Sequence, residues 1–374
     1  MSSNTHGGNI YKFARQFDIA PLEFYDFSAN INPLGMNERG KKAILTHIEE
    51  CAHYPDPENT EVITAISRAF GIALDYITVG NGAAELLFSF TRLAGAKYAL
   101  IPSPGFSEYK EAALASKLEI VEYELFNTTT SKSWSEQLLE KIKKLSLQEE
   151  DKVLLFIGNP NNPDGSLVDV NTMLGFLKQV NTKQILVLLD ESFIDFTDGR
   201  TSMRPYIGKY DNLFILHSLT KILAIPGLRL GAFYGPKCYK QELESYIPTW
   251  SVNRLAQVYV TAALSDTDYI KLTQQYVQRA NIQFYDTLCK YPFLEPIKPS
   301  VNFVLVKWQA SKANQIALQT FVTYCEKRQI LIRQCTSYKT LGDTWFRLAI
   351  KDETSNTVFF DTLKEFCDEY NLSC

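Results

Sequence analysis

The sequence predicts an α/β protein whose larger part is built on a mainly parallel β-sheet, followed by a smaller α+β region. Short apolar segments alternate with segments of helical periodicity between residues 76 and 234. Several of the short segments are apolar at every position, and after about residue 240 longer helical stretches take over. Strands that are apolar on both faces are typical of a parallel sheet covered by helices on both sides.

Length and composition agree with this class of fold. The chain has 374 residues, 45% hydrophobic and 21% charged, which is typical of a globular protein of two domains. We expect a large domain over residues 46–240, and a small domain formed by residues 241–374 with residues 1–45 as an N-terminal arm. The net charge of −4 argues against nucleic acid or an anionic membrane as the main partner.

Targeting and cysteine patterns predict a cytoplasmic protein. The N-terminal residues show no apolar core of a signal peptide, and no apolar run approaches the roughly 18 residues of a membrane span. The seven cysteines include no C-x-x-C pair, which argues against a zinc or redox motif. Free thiols in a chain of this size fit a reducing compartment.

The elements follow from periodicity, in chain order. The first forty residues are rich in Gly, Asn, Ser and Pro and are predicted to be a loop. Apolar residues spaced by three or four predict helices at Lys41–Cys51, Glu61–Phe70, Glu85–Leu93, Tyr109–Ala115 and Val170–Val180. Short apolar segments predict strands at Tyr76–Val79, Tyr98–Ile101, Leu118–Tyr123, Asp151–Ile157, Ile185–Leu189, Asn212–Leu216 and Leu230–Tyr234.

The last third of the chain has a different pattern. Long helical stretches lead to three apolar segments, and a helix is predicted near the C-terminus. The predicted strands are Val301–Trp308, Ile330–Cys335 and Trp345–Ile350, and the final helix is Val358–Tyr370. This order of elements is typical of an α+β domain.

Polar motifs follow the predicted strands of the larger domain. They are GNGAAE, PSPGF, NPNNPDG, DES and HSLTK, in chain order. Each motif alone could be an ordinary turn. Because open α/β sheets bind ligands at the carboxyl ends of their strands, we interpret the set as one candidate site.

The motif Ser218-Leu-Thr-Lys221 is followed by Arg229. Two hydroxyls and a guanidinium suit a phosphate, and a lysine close to other cations loses its proton readily and can form a Schiff base. The alternative is a solvated surface lysine. The glycine turn before Ala83 and Ala84 opens a helix, and a helix N-terminus can bind an anion.

Three further residues each have two interpretations. Asp190 ends an apolar strand and either caps a helix or pairs with a cation such as a pyridinium nitrogen. Asn162 either belongs to a simple turn or donates to a phenolate oxygen. Phe106 is either a core residue or stacks on a flat ring.

Together these motifs resemble the fold-type I superfamily of aminotransferases that depend on pyridoxal 5'-phosphate (PLP). HYPDP, NPNNPDG, DESFIDF and SLTKILAIPGLRLGA resemble the branch that contains histidinol-phosphate aminotransferases and threonine-phosphate decarboxylases. The pair HGGN and DFSANINPLG near the N-terminus resembles the decarboxylases in particular. The resemblance covers nearly the whole chain.

The resemblance implies roles for the candidate residues. Lys221 would bind the cofactor aldehyde covalently, Asp190 would face the pyridine nitrogen, and Asn162 would donate to the phenolate oxygen. Phe106 would stack on the ring. The cofactor phosphate would be held by Ala83, Ala84, Ser218, Thr220 and Arg229, and by Tyr54 reaching across the interface of a homodimer.

For the substrate, the resemblance points to Arg347 and Arg333, with His6 and Asn30. Two arginines with His6 and Asn30 would make a dianion site suited to a substrate phosphate. Arg333, which we expect on a strand next to that of Arg347, could instead form a surface ion pair, and His6 could be a mobile terminal residue. Phe193 departs from the superfamily, which usually has a tyrosine there, and this slightly favours the decarboxylases.

The function implied is PLP-dependent decarboxylation of L-threonine O-3-phosphate to (R)-1-amino-2-propanol phosphate, or of L-serine O-phosphate to ethanolamine phosphate. The product would supply the linker of a corrinoid nucleotide loop. The alternative is a histidinol-phosphate aminotransferase. A non-catalytic PLP-sensing domain is a third reading, disfavoured because Lys221 and Asp190 are both present.

Overall fold

The computed structural model describes residues 7–124 and 133–373. These residues form two compact units. The large unit consists of Gly35–Asn162 and Ser166–Leu272, and the small unit consists of the residues up to Leu34, Pro163–Gly165 and the residues from Thr273 onward. Within the described ranges, none of the helices combines the length and the apolar character needed to cross a membrane.

The helices are numbered in chain order. They are α1 (Ile10–Phe17), α2 (Glu38–His47), α3 (Thr60–Phe70), α4 (Gly82–Leu93), α5 (Ser107–Ala115), α6 (Trp134–Lys144), α7 (Val170–Leu177), α8 (Leu219–Ile222), α9 (Lys237–Ser245), α10 (Arg254–Leu264), α11 (Thr267–Leu288), α12 (Leu318–Glu326) and α13 (Glu353–Glu369).

The strands are numbered in the same way. They are β1 (Tyr25–Asp26), β2 (Ile77–Gly80), β3 (Tyr98–Pro102), β4 (Glu119–Tyr123), β5 (Val153–Gly158), β6 (Ile185–Asp190), β7 (Leu213–His217), β8 (Gly231–Tyr234), β9 (Leu294–Pro296), β10 (Phe303–Trp308), β11 (Ile330–Leu331), β12 (Arg333–Gln334) and β13 (Trp345–Ala349).

The large unit is built on a seven-stranded sheet of order β2-β8-β7-β6-β5-β3-β4. Only β8 runs antiparallel to its neighbours in this sheet, so the prediction of a mainly parallel sheet is confirmed. Every residue of β5, β6 and β7 is buried, as expected for central strands covered on both faces. The carboxyl ends of the parallel strands, and the segment that enters β8, therefore lie along one edge.

Aromatic packing fixes α4 against this sheet. The ring of Phe90 lies 4.4 Å from that of Phe214 on β7 and 4.7 Å from that of Phe233 on β8. Leu86 and Leu87 of the same helix are fully buried. The apolar face of α4 is thus held on the sheet, and its N-terminus lies directly after β2.

The small unit contains an antiparallel sheet of order β12-β13-β10-β9 and a parallel pair, β1 and β11. Its core is rich in aromatic side chains. Trp308 stacks on Phe321 with ring centroids 5.4 Å apart, and Phe366 packs edge-on against Phe321 at 5.1 Å. This unit therefore has a hydrophobic core of its own.

Two predictions for the small unit were wrong in detail. The predicted strand Ile330–Cys335 is divided between two sheets, because β11 pairs with β1 and β12 pairs with β13. The predicted N-terminal loop contains α1. Asn9 caps this helix by accepting a bond from the Lys12 amide at 3.1 Å, and the apolar face of the helix packs near Phe24 and Leu331.

The compact units divide the chain at positions other than the predicted boundaries of 45/46 and 240/241. Helices α2 and α10 both belong to the large unit. The Tyr259 hydroxyl on α10 donates to the Leu223 carbonyl and accepts from the Asn37 amide at 2.7 Å. Gly40 lies against the Tyr259 ring, where a Cβ atom would collide. This packing joins residues 35–45 and 241–272 to the large unit.

Candidate active site

The N-terminus of α4 is arranged to bind an anion. Its N-cap residue, Asn81, makes no side-chain capping bond to the first turn. The guanidinium of Arg229 lies against Gly82, where any Cβ atom would collide with it. Gly231 likewise lets β8 lie against the Ala83 amide. Free amides at Ala83 and Ala84, next to an arginine, suit a phosphate group.

Two hydroxyl groups lie in the segment that directly follows β7. Ser218 Oγ and Thr220 Oγ1 are 2.7 Å apart and both residues are buried. The Ser218 amide donates to Ser192 Oγ at 3.2 Å, which ties the segment after β7 to the segment after β6. These hydroxyls are the kind of group that the sequence predicted for the phosphate.

Asp190, the last residue of β6, is 8% exposed. Its Oδ2 accepts from the Tyr109 hydroxyl at 2.7 Å, and its Oδ1 accepts from the Ser192 amide at 3.0 Å. Burial raises the pKa of Asp190 above its ordinary value, and the bonds from Ser192 and Tyr109 and the charge of Lys221 oppose this rise. A buried carboxylate of this kind is suited to pair with a cationic ring nitrogen.

Lys221 lies in the short helix α8, directly after the Ser218 segment, and is half-buried. Its charge lowers the pKa of Asp190, so the ammonium group and the carboxylate lie within electrostatic reach of each other. The structure therefore brings together a lysine, a buried carboxylate and two hydroxyls at one edge of the sheet.

Phe106 and Asn162 follow β3 and β5 at the same edge. Phe106 is half-buried and packs edge-on against Tyr109, with ring centroids 5.6 Å apart. Asn162 follows a turn that is held by the Asn161 side chain, which donates to the Pro104 carbonyl at 3.2 Å. Both predicted residues are thus positioned by loops that contact each other.

The set of groups fits PLP. An uncapped helix N-terminus with an arginine and two hydroxyls suits the phosphate, and the buried Asp190 suits the pyridine nitrogen. Lys221 offers an amine for the aldehyde, and Phe106 offers a face for the ring. The large unit therefore contains candidate partners for the phosphate, the ring nitrogen and the aldehyde of the cofactor.

Tyr54 has a different environment. Its ring stacks on Trp250, with centroids 4.3 Å apart, and 78% of the residue is exposed. It lines a cavity of about 600 Å³ together with His53 and Arg254. Within its own chain, this environment is not the phosphate site at α4.

Arg333 and Arg347 are directly opposite each other on the paired strands β12 and β13 of the small unit. The expectation that they lie on neighbouring strands is confirmed. Arg347 is 6% exposed, donates from Nη2 to the Ser28 carbonyl at 2.9 Å, and lies over the Phe303 ring. Arg333 donates from Nη2 to Ser337 Oγ at 2.9 Å.

Burial and the charge of Arg347 lower the pKa of Arg333 from its ordinary value, with burial the larger cause. Two guanidinium groups that are held this close repel each other. An anion between or beside them would relieve the repulsion. The pair is therefore a candidate binding site for phosphate or carboxylate groups.

Asn30 is also buried, with 3% of the residue exposed, and within the described part of the chain its Oδ1 accepts no hydrogen bond. A buried acceptor without a donor is unusual and marks a place where a ligand could donate. Asn32 has a structural role, because its side chain donates to Thr273 Oγ1 and caps the turn at Leu34. His6 lies outside the described residues.

Sequence reasoning did not assign two contacts. The bond from Tyr109 to Asp190 could have been found, because Tyr109 lies one helical turn after Phe106 and faces the same edge. The second is a buried set of polar and charged residues around His217. No local pattern predicts it, because its members are spread over the chain from Glu191 to Tyr234.

The fold and the site define an α/β enzyme of the PLP-dependent transferase type. The sequence matches the family "Aminotransferase class I and II" over residues 23–363, and the chain belongs to this family. PLP is therefore its cofactor.

Named relatives lie within this family. The chain is 32% identical to the threonine-phosphate decarboxylase of Salmonella typhimurium, over 95% of this chain and 94% of that protein. It is also 32% identical to the adenosylcobalamin biosynthesis bifunctional protein CobDQ of Leptospira interrogans, over 96% of this chain; it spans only 41% of that longer protein.

Solved structures share the fold. The histidinol-phosphate aminotransferase of Clostridium acetobutylicum superposes with a TM-score of 0.81 at 29% identity, over 92% of this chain and 99% of that chain. The L-threonine-O-3-phosphate decarboxylase of Porphyromonas gingivalis gives a TM-score of 0.78 at 21% identity, over 91% and 99%. At 21% identity, the similarity to the Porphyromonas gingivalis structure is evidence of a shared fold alone.

Proposed function

We propose that this protein is a PLP-dependent decarboxylase of L-threonine O-3-phosphate, which it converts to (R)-1-amino-2-propanol phosphate. The observation that carries the proposal is the 32% identity to a threonine-phosphate decarboxylase along nearly the full length of both chains. The histidinol-phosphate aminotransferase of Methanothermobacter thermautotrophicus is less similar, at 25% identity over 96% of this chain. The product is proposed to be the linker of a corrinoid nucleotide loop.

In this proposal the large unit holds the cofactor. Lys221 binds its aldehyde, Asp190 keeps the ring nitrogen protonated, and Asn162 donates to its phenolate oxygen. Phe106 stacks on the ring, while α4, Ser218, Thr220 and Arg229 hold the phosphate. When bound, PLP supplies an electron sink for the bond that breaks at the substrate Cα.

Arg333, Arg347, Asn30 and His6 are proposed to bind the substrate's anionic groups. With PLP bound, the residues that hold the substrate's anionic groups would decide which bond at Cα is weakened, so the choice between decarboxylation and transamination would be geometric. If the arginines held the phosphate, the carboxylate would be free to leave as CO2. Lys221, released when the substrate amine takes its place and then protonated, would donate a proton to Cα. Phe193 leaves one hydroxyl fewer than in typical aminotransferases.

We also propose a homodimer in which Tyr54 reaches the cofactor phosphate of the partner subunit. Tyr54 and Trp250 form a stacked pair that is 78% and 47% exposed. Leu45 and Ile48 are also exposed, at 77% and 46%. Large apolar side chains on a surface favour burial in an interface.

The test is to incubate the PLP-loaded protein with L-threonine O-phosphate or L-serine O-phosphate, without a 2-oxo acid, and to measure CO2. We expect release with the threonine compound. The ratio of the two rates decides between the threonine and serine substrates. No CO2 from either, together with glutamate formed from histidinol phosphate and 2-oxoglutarate, would contradict the proposal and identify an aminotransferase.

A further inference from the structure

A connected set of buried polar groups joins the chain directly after β6 and the end of β7 to Tyr234 of the antiparallel strand β8 and to the short helical segments Ile194–Phe196 and Arg204–Tyr206. We call it the buried network, and its members are Glu191, Asp195, Arg204, His217 and Tyr234. None of them is more than 9% exposed. The proposed mechanism uses none of these side chains.

The contacts form a continuous path. The Tyr234 hydroxyl lies 2.7 Å from His217 Nδ1, and His217 Nε2 lies 2.6 Å from Asp195 Oδ2. Arg204 donates to both oxygens of Asp195, at 2.7 and 3.2 Å. A neutral His217 with its proton on Nε2 would donate to Asp195 and would accept from the Tyr234 hydroxyl through Nδ1.

Glu191 closes the other end of the path. Its carboxylate lies 3.2 Å from Arg204 Nε and accepts from the Met203 amide at 2.6 Å and from Ser202 Oγ at 2.7 Å. The Arg204 guanidinium also lies over the Phe70 ring, 4.6 Å from its centroid. Each charged member therefore has several partners, as a buried charge requires.

The network adjoins the cofactor residues in the chain. Glu191 directly follows Asp190, and His217 directly precedes Ser218. Each pair is joined by one peptide bond, so a fixed Glu191 restrains the backbone at Asp190, and a fixed His217 restrains the backbone at Ser218. The Glu191 amide also donates to the Leu216 carbonyl at 2.8 Å, which joins the two strand ends.

Burying four ionisable groups and a phenol costs free energy, because these groups lose their hydration. Well-packed apolar residues of similar volume often stabilise a protein as well or better. Groups that stand behind a ligand site commonly hold its side chains in the binding geometry. The position of the network, one residue from two cofactor contacts, matches that role.

We propose that the buried network is a positioning device, which fixes the ends of β6 and β7 so that Asp190 and Ser218 meet the cofactor in the required geometry. Its members are positioning residues and do not touch the cofactor. The inference rests on PLP as the cofactor and is independent of the identity of the substrate.

The test compares two tyrosine variants. Tyr234→Phe removes the hydroxyl next to His217, and Tyr123→Phe removes a hydroxyl on β4, the last strand of the same sheet, that donates to the Phe156 carbonyl at 2.6 Å. Each deletes one buried hydrogen bond. We expect similar losses of melting temperature in the apoproteins, but only Tyr234→Phe should raise the dissociation constant of PLP, by about fivefold, and shift the absorption spectrum of the bound cofactor.

A second pair keeps the test decisive. His217→Gln retains an N–H that can reach Asp195, whereas His217→Leu has no donor. We therefore expect the dissociation constant of PLP to rise about tenfold in the leucine variant and by a smaller factor in the glutamine variant. Unchanged PLP dissociation constants for Tyr234→Phe and His217→Leu would overturn the proposal. A wild-type protein that fails to bind PLP would instead overturn the cofactor assignment.

Discussion

Arg333 and Arg347 show how much one pair of residues can determine. The two residues lie opposite each other on paired strands. The Arg333 guanidinium donates to Ser337 Oγ, and the Arg347 guanidinium donates to the Ser28 carbonyl. Those bonds help to fix the orientation of the planar groups. A lysine would keep the charge but lose the forked geometry that binds a phosphate or carboxylate through two bonds.

We therefore predict that Arg333→Lys and Arg347→Lys each lower kcat/KM for L-threonine O-phosphate by roughly 10- to 100-fold, because bonds to charged groups contribute about 1.5–3 kcal/mol. PLP binding should be unchanged. The matched control is Arg328→Lys, whose guanidinium pairs with Glu365 on the surface at 3.2 Å. Wild-type kinetics for both lysine variants would show that these arginines do not bind the substrate.

His217 gives a prediction about stability and pH. Burial, and then the charge of Arg204, lower the pKa of His217 from 6.5 to about 4, against the opposing effect of Asp195. Between these pH values the unfolded chain binds a proton that the folded chain does not. The free energy of unfolding should therefore fall as the pH is lowered through this window, by up to about 1.4 kcal/mol per pH unit from this residue.

The measurement is urea unfolding at several pH values between 7.5 and 4.5, for the wild type and for His217→Gln. Burial raises the pKa of Glu191 and Asp190, which act with the opposite sign in the same range. Both remain in the variant, so the difference between the two proteins isolates the histidine. Parallel pH dependences would mean that His217 is not held neutral.

At the scale of elements, the last three residues of the N-terminal motif HGGN, Gly7, Gly8 and Asn9, have a structural explanation. Gly7 lies against the Ser28 carbonyl, where a Cβ atom would collide, and the Gly8 amide donates to Ser28 Oγ at 2.7 Å. Asn9 then caps α1. The same Ser28 carbonyl accepts from Arg347. The motif therefore fixes a segment that also orients a candidate substrate residue.

We predict that Gly7→Ala raises the KM for the phosphorylated substrate about tenfold, because the displaced Ser28 carbonyl would cost Arg347 its hydrogen bond. PLP affinity should not change. Gly175→Ala is the control, since the position lies in α7 with open space around it and the change should be neutral or slightly stabilising. A KM equal to that of the wild type would separate the motif from substrate binding.

The sequence predicted the elements of the parallel sheet well and the short elements poorly. Strands such as β5 and β6 are continuous apolar segments bounded by turn residues, so their pattern is local. Strands β11 and β12 are two residues each, and which sheet each joins depends on distant partners, Tyr25 and Phe346. Helix α1 was missed because Gly and Asn around it gave a stronger loop signal than its apolar spacing.

The candidate site likewise contains residues that local motifs point to and contacts that depend on residues distant in the chain. Asp190, Lys221 and Arg229 lie in local motifs next to strands, so they could be proposed as candidates from the sequence. The contacts around His217 depend on residues from three strand ends and could not be found without the pairing of β6, β7 and β8. Periodicity predicts which residues are buried, whereas partners distant in the chain follow only from topology.

At the scale of the whole molecule, the proposed dimer makes the two active sites interdependent. If Tyr54 acts in the partner's site, each site needs Lys221 from one subunit and Tyr54 from the other. A variant that lacks Tyr54 and a variant that lacks Lys221 would then be deficient in different halves of the site. Their mixed dimer would contain one site with both residues intact.

We therefore predict that Tyr54→Ala and Lys221→Ala, each weakly active or inactive alone, recover CO2 release when their subunits are exchanged. Random exchange makes half of the dimers mixed, each with one intact site, so roughly a quarter of wild-type activity should return. Mixing the double variant with the wild type is the reverse control, because its mixed dimers contain no intact site. If the mixture only averages the two parent activities, Tyr54 serves its own subunit and the shared-site proposal is wrong.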